Sequence, residues 1–471
     1  MNFHKLQNLL VFVLLAFIIA TFSVFAQTLS REQQLARGIF KELIEINTTD
    51  SKGNTTIAAE AMAKRLKDAG FPAADVLVLG PNSRKGNLVA RLHGTGAHKP
   101  ILLLAHLDVV EANREDWSVD PFKFLEQDGY FYGRGTTDDK AMAAIFVANL
   151  IRYKQEGFVP NRDLILALTA DEELGDIPTN GVKWLLENHR NLIDSEFALN
   201  EGAGVGLKEG KPFVHGLQTS EKVIVFYRLE VKNPGGHSAR PSKDNAIYHL
   251  AEGLNRLAKF DFPFKLNEAT KLYFQKMSKI QTGQVAEDML AITQDSPDPA
   301  AIERLSAIPI YNAAMRTTCV ATRLDGGHAD NALPQIAGAL VNCRILPGEP
   351  VDEVKQTLIK VIANDKITVS QVGSFTSSPP SPLRPDIVQA IERLSSEFWP
   401  GVPVIPMMGA GATDGRFLRN SGIATYGHMG LAGDMFDVRA HGKDERLLVS
   451  SFFTGQEYLY RLVKALSSGK L

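Results

Sequence analysis

The sequence predicts an α/β protein, a mainly parallel sheet flanked by helices, with a second α+β domain inserted into it. Three observations carry that prediction. The runs "PILLLAH", "DLILALT" and "EFALN" are short and continuously apolar, the mark of strands covered on both faces. Helical patterns separate them, and strand–helix–strand order favours parallel pairing with crossover helices. Near Glu221 the pattern shifts to longer β runs, and it shifts back after the Ser/Pro-rich "SFTSSPPSPLRPD", which has the composition of a linker.

Taken in order, the chain starts with "MNFHKLQNLLVFVLLAFIIATFSVFAQ", in which Lys5 is the only charged side chain and the apolar run begins at Leu9. Small Val24 and Ala26 stand where a signal peptidase reads, so residues 1–26 are read as a signal peptide cut after Ala26. An uncleaved anchor is the alternative, since Leu9 to Phe22 nearly spans a bilayer. No later stretch approaches that length. The processed protein is expected to lack a membrane span and to be exported, periplasmic or secreted.

"REQQLARGIFKELIEI" and "IAAEAMAKRLKDAG" have helical spacing, the second closed by a glycine. "DKAMAAIFVANLIRYKQEG" reads as an amphipathic helix ending at Gly157. Within residues 221–380, "EKVIVFYRLEVKN" is a long β run and "NAIYHLAEGLNRLAKF" a helix. A polar, helix-prone stretch reaches about Ala307. It leads to "RTTCVATRLDGGHADNALPQIAGALVNCRI", two β runs around a Gly-Gly turn. The helix "VDEVKQTLIKVIAND" and the strand "ITVSQVG" complete this inserted unit. "IVQAIERLSSEF" and "MGAGATDG" return to the first style, so residues 27–220 and 381–471 are read as one domain.

The formal charge of −2 over 471 residues gives no basis for binding nucleic acid or a charged membrane. Two cysteines, Cys319 and Cys343, do not make a disulfide scaffold. They either pair across the hairpin or are buried as small apolar residues, and burial without pairing is the expectation.

In an open α/β sheet, ligands bind at the carboxyl ends of the strands. "ILLLAHLD" delivers His106 and Asp108 there, "YGRGTTDDK" places Asp138 and Asp139 in the turn before a helix, and "LALTADEE" delivers Glu172 and Glu173. "FALNEG" adds Glu201, and "RAHGKDE" offers His441. Imidazole plus carboxylate is the ligand set for zinc or a similar divalent ion, and carboxylates can bridge two ions. A cation would also account for three consecutive acids, Asp171 to Glu173, at the end of a buried strand. His98, His189, His215, His249 and His328 are read as ordinary solvated loop residues. "EGAGVG" and "GAGATDG" lack the context of a phosphate loop, and there is no GxSxG nucleophile elbow.

With these motifs in order and at similar spacing over nearly the whole processed chain, the sequence resembles the M20 peptidases. That family includes glutamate carboxypeptidase, succinyl-diaminopimelate desuccinylase, aminoacylase-1 and carboxypeptidase S. The long insertion between Lys259 and Ala314 and the wording "RTTCVATRLDGGHADNALPQ" look closest to the carboxypeptidase S-like branch, near aminoacylase-1.

The resemblance implies a zinc-exopeptidase-type fold with a lid or dimerisation domain and two zinc ions, cobalt or manganese being acceptable to the same ligands. His106, Asp138, Glu173, Glu201 and His441 match the metal ligands, with Asp138 bridging and a cis peptide following it. Asp108 matches the carboxylate that orients His106. Glu172 matches the general base. In "NPGGHSARP", His237 matches the residue that stabilises the oxyanion, supplied in dimeric members by the partner subunit. Asn331 in "DNALP" would lie near the same oxyanion or the substrate, and Arg344 in "NCRILPG" would grip the substrate's free carboxylate. Thr413, with Asp414, belongs to a loop on the substrate side. Thr136 departs mildly from the family, where alanine is commoner.

The implied activity is carboxypeptidase-type cleavage of an amide beside a free carboxylate, acting on a small peptide. N-acyl-amino-acid hydrolysis on the same machinery is the alternative. A catalytically silent binding protein would lack ligands or the base, and none is missing. The resemblance leaves the assembly open between a homodimer through the inserted domain and a monomer in which the long insertion covers that edge.

Overall fold

The computed structural model describes residues 28–468; the expected signal peptide and its cut after Ala26 lie outside the described residues. Two helices open the chain, α1 (Arg31–Glu45) and α2 (Thr55–Asp68). Ser30 and Gln33 form a capping box at the start of α1, and the Asn54 side chain caps α2, each satisfying N–H groups the helix cannot. Strands β1 (Val76–Leu79), β2 (Asn87–Leu92) and β3 (Ile101–His106) follow, then a hairpin of β4 (Leu125–Gln127) and β5 (Tyr130–Tyr132). Helix α3 (Lys140–Gln155) crosses to β6 (Leu164–Thr169). Short α4 (Gly181–Asn188) and α5 (Arg190–Ile193) lead to β7 (Phe197–Lys208) and β8 (Lys211–Glu221).

The middle of the chain contains β9 (Val223–Lys232), β10 (Gly236–His237) and α6 (Ala246–Ala258). Four helices come next: α7 (Glu268–Met277), α8 (Gly283–Ala291), α9 (Pro299–Ser306) and α10 (Pro309–Met315). After them run β11 (Thr318–Gly326), β12 (Ala332–Leu333), β13 (Ile336–Ile345), α11 (Val351–Ile362) and β14 (Ile367–Val372). The chain closes with α12 (Pro385–Phe398), β15 (Val404–Gly409), α13 (Gly415–Asn420), β16 (Ala424–Asp434), β17 (Arg446–Leu448) and α14 (Val449–Ser468).

Eight strands form the large sheet in the order β1-β2-β6-β3-β7-β16-β8-β15. Pairs β3–β6, β3–β7, β7–β16 and β8–β15 are parallel, while β1 and β2 add antiparallel edges. One apolar core, containing α1, α2, α3, α12 and α14, covers one face; a smaller one with α4 and α13 covers the other. Helix α3 is buried on nearly every side rather than amphipathic, because α1 and α14 close over the face it turns away from the sheet.

A four-stranded antiparallel sheet, β11-β13-β9-β14, packs on α6 and α11 around its own core. The helices α7 to α10 do not join that core. They cluster with Val214 on β8 and Ile405 on β15, at the edge of the large sheet. No helix among the described residues is long and apolar enough to cross a membrane.

Three sequence expectations need correction. Cys319 and Cys343 are bonded to each other; the hairpin register sets them directly opposite on β11 and β13, which the apolar character of cysteine alone could not reveal. His215 is no loop residue: it lies fully buried in β8. The strand expected at "EFALN" does not stop there, because β7 continues through "EGAGVG" to Lys208.

Candidate metal centre

The carboxyl edge of the large sheet gathers five of the expected side chains. His106 ends β3 and is buried. Its Nε2 lies 2.9 Å from Asp138 Oδ1 and 3.9 Å from Glu201 Oε2. His441 Nε2 lies 3.1 Å from Asp138 Oδ2 and 3.0 Å from Glu173 Oε2. Asp138 therefore turns one oxygen to each imidazole. The donor atoms fall into two compact groups, His106–Asp138–Glu201 and Asp138–Glu173–His441, sharing that aspartate.

Local backbone explains the aim. The peptide bond between Asp138 and Asp139 is cis. Glu445, fully buried, accepts hydrogen bonds from the amides of Gly135, Thr137 and Asp138, at 2.9, 2.7 and 3.2 Å, and from Arg134 at 2.7 Å. One carboxylate thus holds the whole "GRGTTD" turn. After Glu201, Gly202 adopts φ +143°, and a Cβ there would stand 3.1 Å from Gly427 Cα. Glycine, free to adopt this φ without a Cβ, lets β7 and β16 approach so closely beside Glu201.

The Asp171–Glu173 corner is held differently from the sequence expectation. Asp171, at φ +61°, does not face the metal groups. Lys85 donates to its carboxylate at 2.5 Å and Thr179 at 2.6 Å. The cation that offsets this first acid is a lysine from far upstream, not a metal. The amides of Glu172 and Glu173 instead donate to the Asp108 carboxylate, at 3.2 and 3.0 Å. His106 Nδ1 meets the main-chain carbonyl of Asp108 at 2.9 Å, its carboxylate standing 3.6 Å away, beyond a hydrogen bond. Asp108 fixes the ring through its backbone and the two glutamates through its side chain.

The electrostatics describe a site short of positive charge. Burial pushes the carboxyls of Asp139, Glu172 and Glu201 well above the usual range, and neighbouring acids add to the shift for each. Burial opposes protonation of His106, yet the carboxylates around it win and raise its pKa well above the ordinary value. Hydrogen bonds to Asp138 and Glu173 push His441 up to about 10. Among the described residues, Glu173 Oε1 and both oxygens of Asp139 are buried without a hydrogen-bond partner; a proton on the acid or a bound cation relieves such a group. The donors, imidazole nitrogen and carboxylate oxygen, fit divalent ions of the zinc class.

The other expected residues lie apart from these groups. His237 pairs with Ala332 across β10 and β12, and the Ser238 amide donates to the Asn331 carbonyl at 3.1 Å. The structure thereby brings "NPGGHSARP" and "DNALP" together as an exposed unit on the inserted domain. Arg344, on β13, donates to the Ala410 carbonyl at 3.1 Å and to Asn342 at 3.2 Å. It has no carboxylate partner among the described residues, and burial alone lowers its pKa. Thr413 is not free for substrate: its hydroxyl and amide both donate to Glu221 at 2.9 Å, and Glu221 is paired in turn with buried Arg419. Asp414 is buried behind Glu172, accepting from Asn180 at 2.6 Å, and burial pushes its pKa up to about 6.

Sequence reasoning passed over Lys85, Glu445, Glu221 and Arg416. Glu445 lay inside the quoted "RAHGKDE", four residues after His441. Arg416 followed "GATDG" directly; it is buried and donates to the Thr413 carbonyl at 3.0 Å. Lys85 carried no local signal, since its partner is distant in sequence.

An α/β sheet whose carboxyl edge carries two imidazole–carboxylate groups sharing one aspartate has the arrangement of a metal-dependent hydrolase. The chain belongs to Peptidase family M20/M25/M40, whose profile matches residues 102–465, and it is accordingly a hydrolytic metallopeptidase or amidohydrolase. It is 28% identical over 382 residues to the N-fatty-acyl-amino acid synthase/hydrolase PM20D1 of Homo sapiens, covering 78% of this chain and 74% of the relative. It is 29% identical over 380 residues to the probable carboxypeptidase S-like 2 of Dictyostelium discoideum, covering 78% and 71%. The fold is that of the M20 family metallo-carboxypeptidase Sso-CP2 from Sulfolobus solfataricus, with a TM-score of 0.70 and 17% identity over 93% of this chain and 99% of that one.

Proposed function

We propose that the protein is an exported di-zinc hydrolase that cleaves the amide bond adjoining a free carboxylate, in the manner of a carboxypeptidase. The observation that carries this reading is Asp138, whose two oxygens reach two separate donor groups. His106, Asp138 and Glu201 would hold one ion, and Asp138, Glu173 and His441 the other. Bound there, the ions supply Lewis acidity, which lowers the pKa of water to about 7 and polarises a carbonyl.

The rest falls to the chain's own residues. Glu172, which belongs to neither group, takes the proton of the attacking water and passes it to the leaving nitrogen. Water adds to the carbonyl carbon, the C–N bond breaks, and a carboxylic acid and an amine result. The Arg344 fork, lacking an acidic partner, holds the substrate carboxylate. His237, beside Asn331, donates to the oxyanion. Thr413 positions the loop through Glu221 rather than touching substrate.

His237 and Asn331 are exposed, which suits delivery from a partner subunit. A homodimer is further supported by the free edge of β11, where Val320 and Leu324 are 60% and 71% exposed beside exposed Ile247 and Tyr248 on α6. Export rests on the sequence of residues 1–26.

The name of the human relative favours a second reading, hydrolysis of an N-acyl amino acid on the same site. The test uses protein starting at Gln27 and a panel of dipeptides and N-acyl amino acids, each as free acid and as amide. Chelator-sensitive cleavage of the free acids alone is expected. Equal cleavage of acids and amides would remove Arg344 from the mechanism, and cleavage untouched by chelation would remove the metal ions.

A further inference from the structure

We propose that the apolar cavity under α7 and α10 receives the hydrocarbon chain on the acyl side of the substrate amide. The proposal rests on the reading of the metal centre as an amide hydrolase, and it names the substrate class: N-acyl amino acids with long, uncharged acyl chains. The cavity measures about 290 Å³ and is walled by Val214 and Ile405 on the sheet edge, Tyr273 and Met277 on α7, and Met407 and Met435. None of its lining side chains is charged. The ammonium group of a dipeptide would find no carboxylate there, whereas each methylene leaving water is favoured. Met408 brings the methionines to four, and such flexible thioether chains adjust to a hydrocarbon of variable length.

Shared walls connect the cavity to the metal centre. Val214, Met407 and Met435 also line a groove that includes Thr137, Gly202 and Met429. Those last three residues line the cavity into which Asp138 and Glu201 open. The three spaces therefore adjoin in a row, from the apolar cavity to the carboxylates that would hold an ion against the scissile carbonyl. The group that follows this row is the one attached to the carbonyl carbon. Ala410, which also lines the cavity, accepts from Arg344 through its carbonyl at 3.1 Å. Helices α7 and α10, which roof the cavity, come from the long insertion and pack on the large sheet, not on the inserted one.

The test varies the acyl group from acetyl through hexanoyl to decanoyl on one amino acid, and separately varies the amino acid under a fixed acyl group. In the wild type, kcat/KM should rise about fourfold per methylene until the cavity is full. Ala314→Phe, which fills the cavity from α10, should lower kcat/KM at least tenfold for decanoyl and leave acetyl within twofold. Decanoate titrated into the metal-free protein should bind at least tenfold more weakly to the variant. Should Ala314→Phe fail to fold by circular dichroism, Ala313→Phe on the same wall replaces it.

A flat chain-length series, an effect that follows the amino-acid side chain instead, or decanoate binding equal in wild type and variant would overturn the proposal. If no compound of any length is cleaved, the hydrolase reading fails, and the decanoate titration still decides the cavity.

Discussion

His215 on β8 and His428 on β16 stack with ring centroids 4.2 Å apart, both fully buried in the body of the large sheet. Every neighbour of the pair is neutral. His428 meets the Gly216 carbonyl and the Tyr458 hydroxyl, each at 2.7 Å. His215 meets the Ser395 hydroxyl at 3.0 Å and the Met429 carbonyl at 2.9 Å, with Trp399 against its ring. Burial pushes His428 down from the ordinary 6.5 to about 4. Burial and then the neighbouring His428 push His215 well below its ordinary value.

A base whose pKa is depressed by folding binds its proton more readily when unfolded. Its contribution to stability is whole above the unfolded value of 6.5 and is lost as the pH falls toward about 4. For His428 alone the loss between pH 7 and pH 4.5 amounts to about 2.5 kcal/mol. Urea unfolding of the metal-free protein at several pH values across that window, for wild type and His428→Gln, measures it. Glutamine keeps a donor and an acceptor but does not titrate, so the difference between the two stabilities should shrink or reverse by about that amount on acidification. Carboxylate titration at the metal centre affects both proteins alike and cancels. Parallel pH dependence in the two proteins would mean that the buried imidazole is not what acid attacks.

Glu172→Gln should lower turnover by about 10²–10⁴-fold with metal content unchanged by elemental analysis, while Glu173→Gln should lose metal; unimpaired turnover in the first would refute the assignment of the base. Lys85→Met leaves Asp171 buried without its cation and should cost about 3–5 kcal/mol in urea unfolding, whereas an unchanged midpoint would mean that the pair adds nothing. Replacing both cysteines by serine opens a loop with a separation of 24 residues and should destabilise the protein by about 3.5 kcal/mol on the chain-entropy account. Unfolding with and without reductant provides the check.

The sheet core and the metal groups were legible because their signals are local. A strand buried on both faces must be continuously apolar, so β3, β6 and the start of β7 stand out, and the residues just beyond them must lie at the carboxyl edge. What the sequence concealed lay in pairings across long separations. Lys85 is unremarkable alone, and only the fold sets it 2.5 Å from Asp171. Glu445, inside the quoted "RAHGKDE", gave no sign that the fold draws it under the "GRGTTD" turn.

The sequence by itself determined the α/β class, the segment that carries each metal-binding candidate, and the partition into two styles of structure. Those properties depend on periodicity and neighbouring residues, which the chain carries in one dimension. Tertiary structure alone decided that Cys319 faces Cys343, that His215 is buried against His428, that Thr413 is occupied by Glu221, and that the helices of the long insertion roof an apolar cavity on the large sheet. Each of these is a meeting of segments far apart in sequence, settled by register and packing, where a shift of one residue in a strand would turn every side chain to the opposite face.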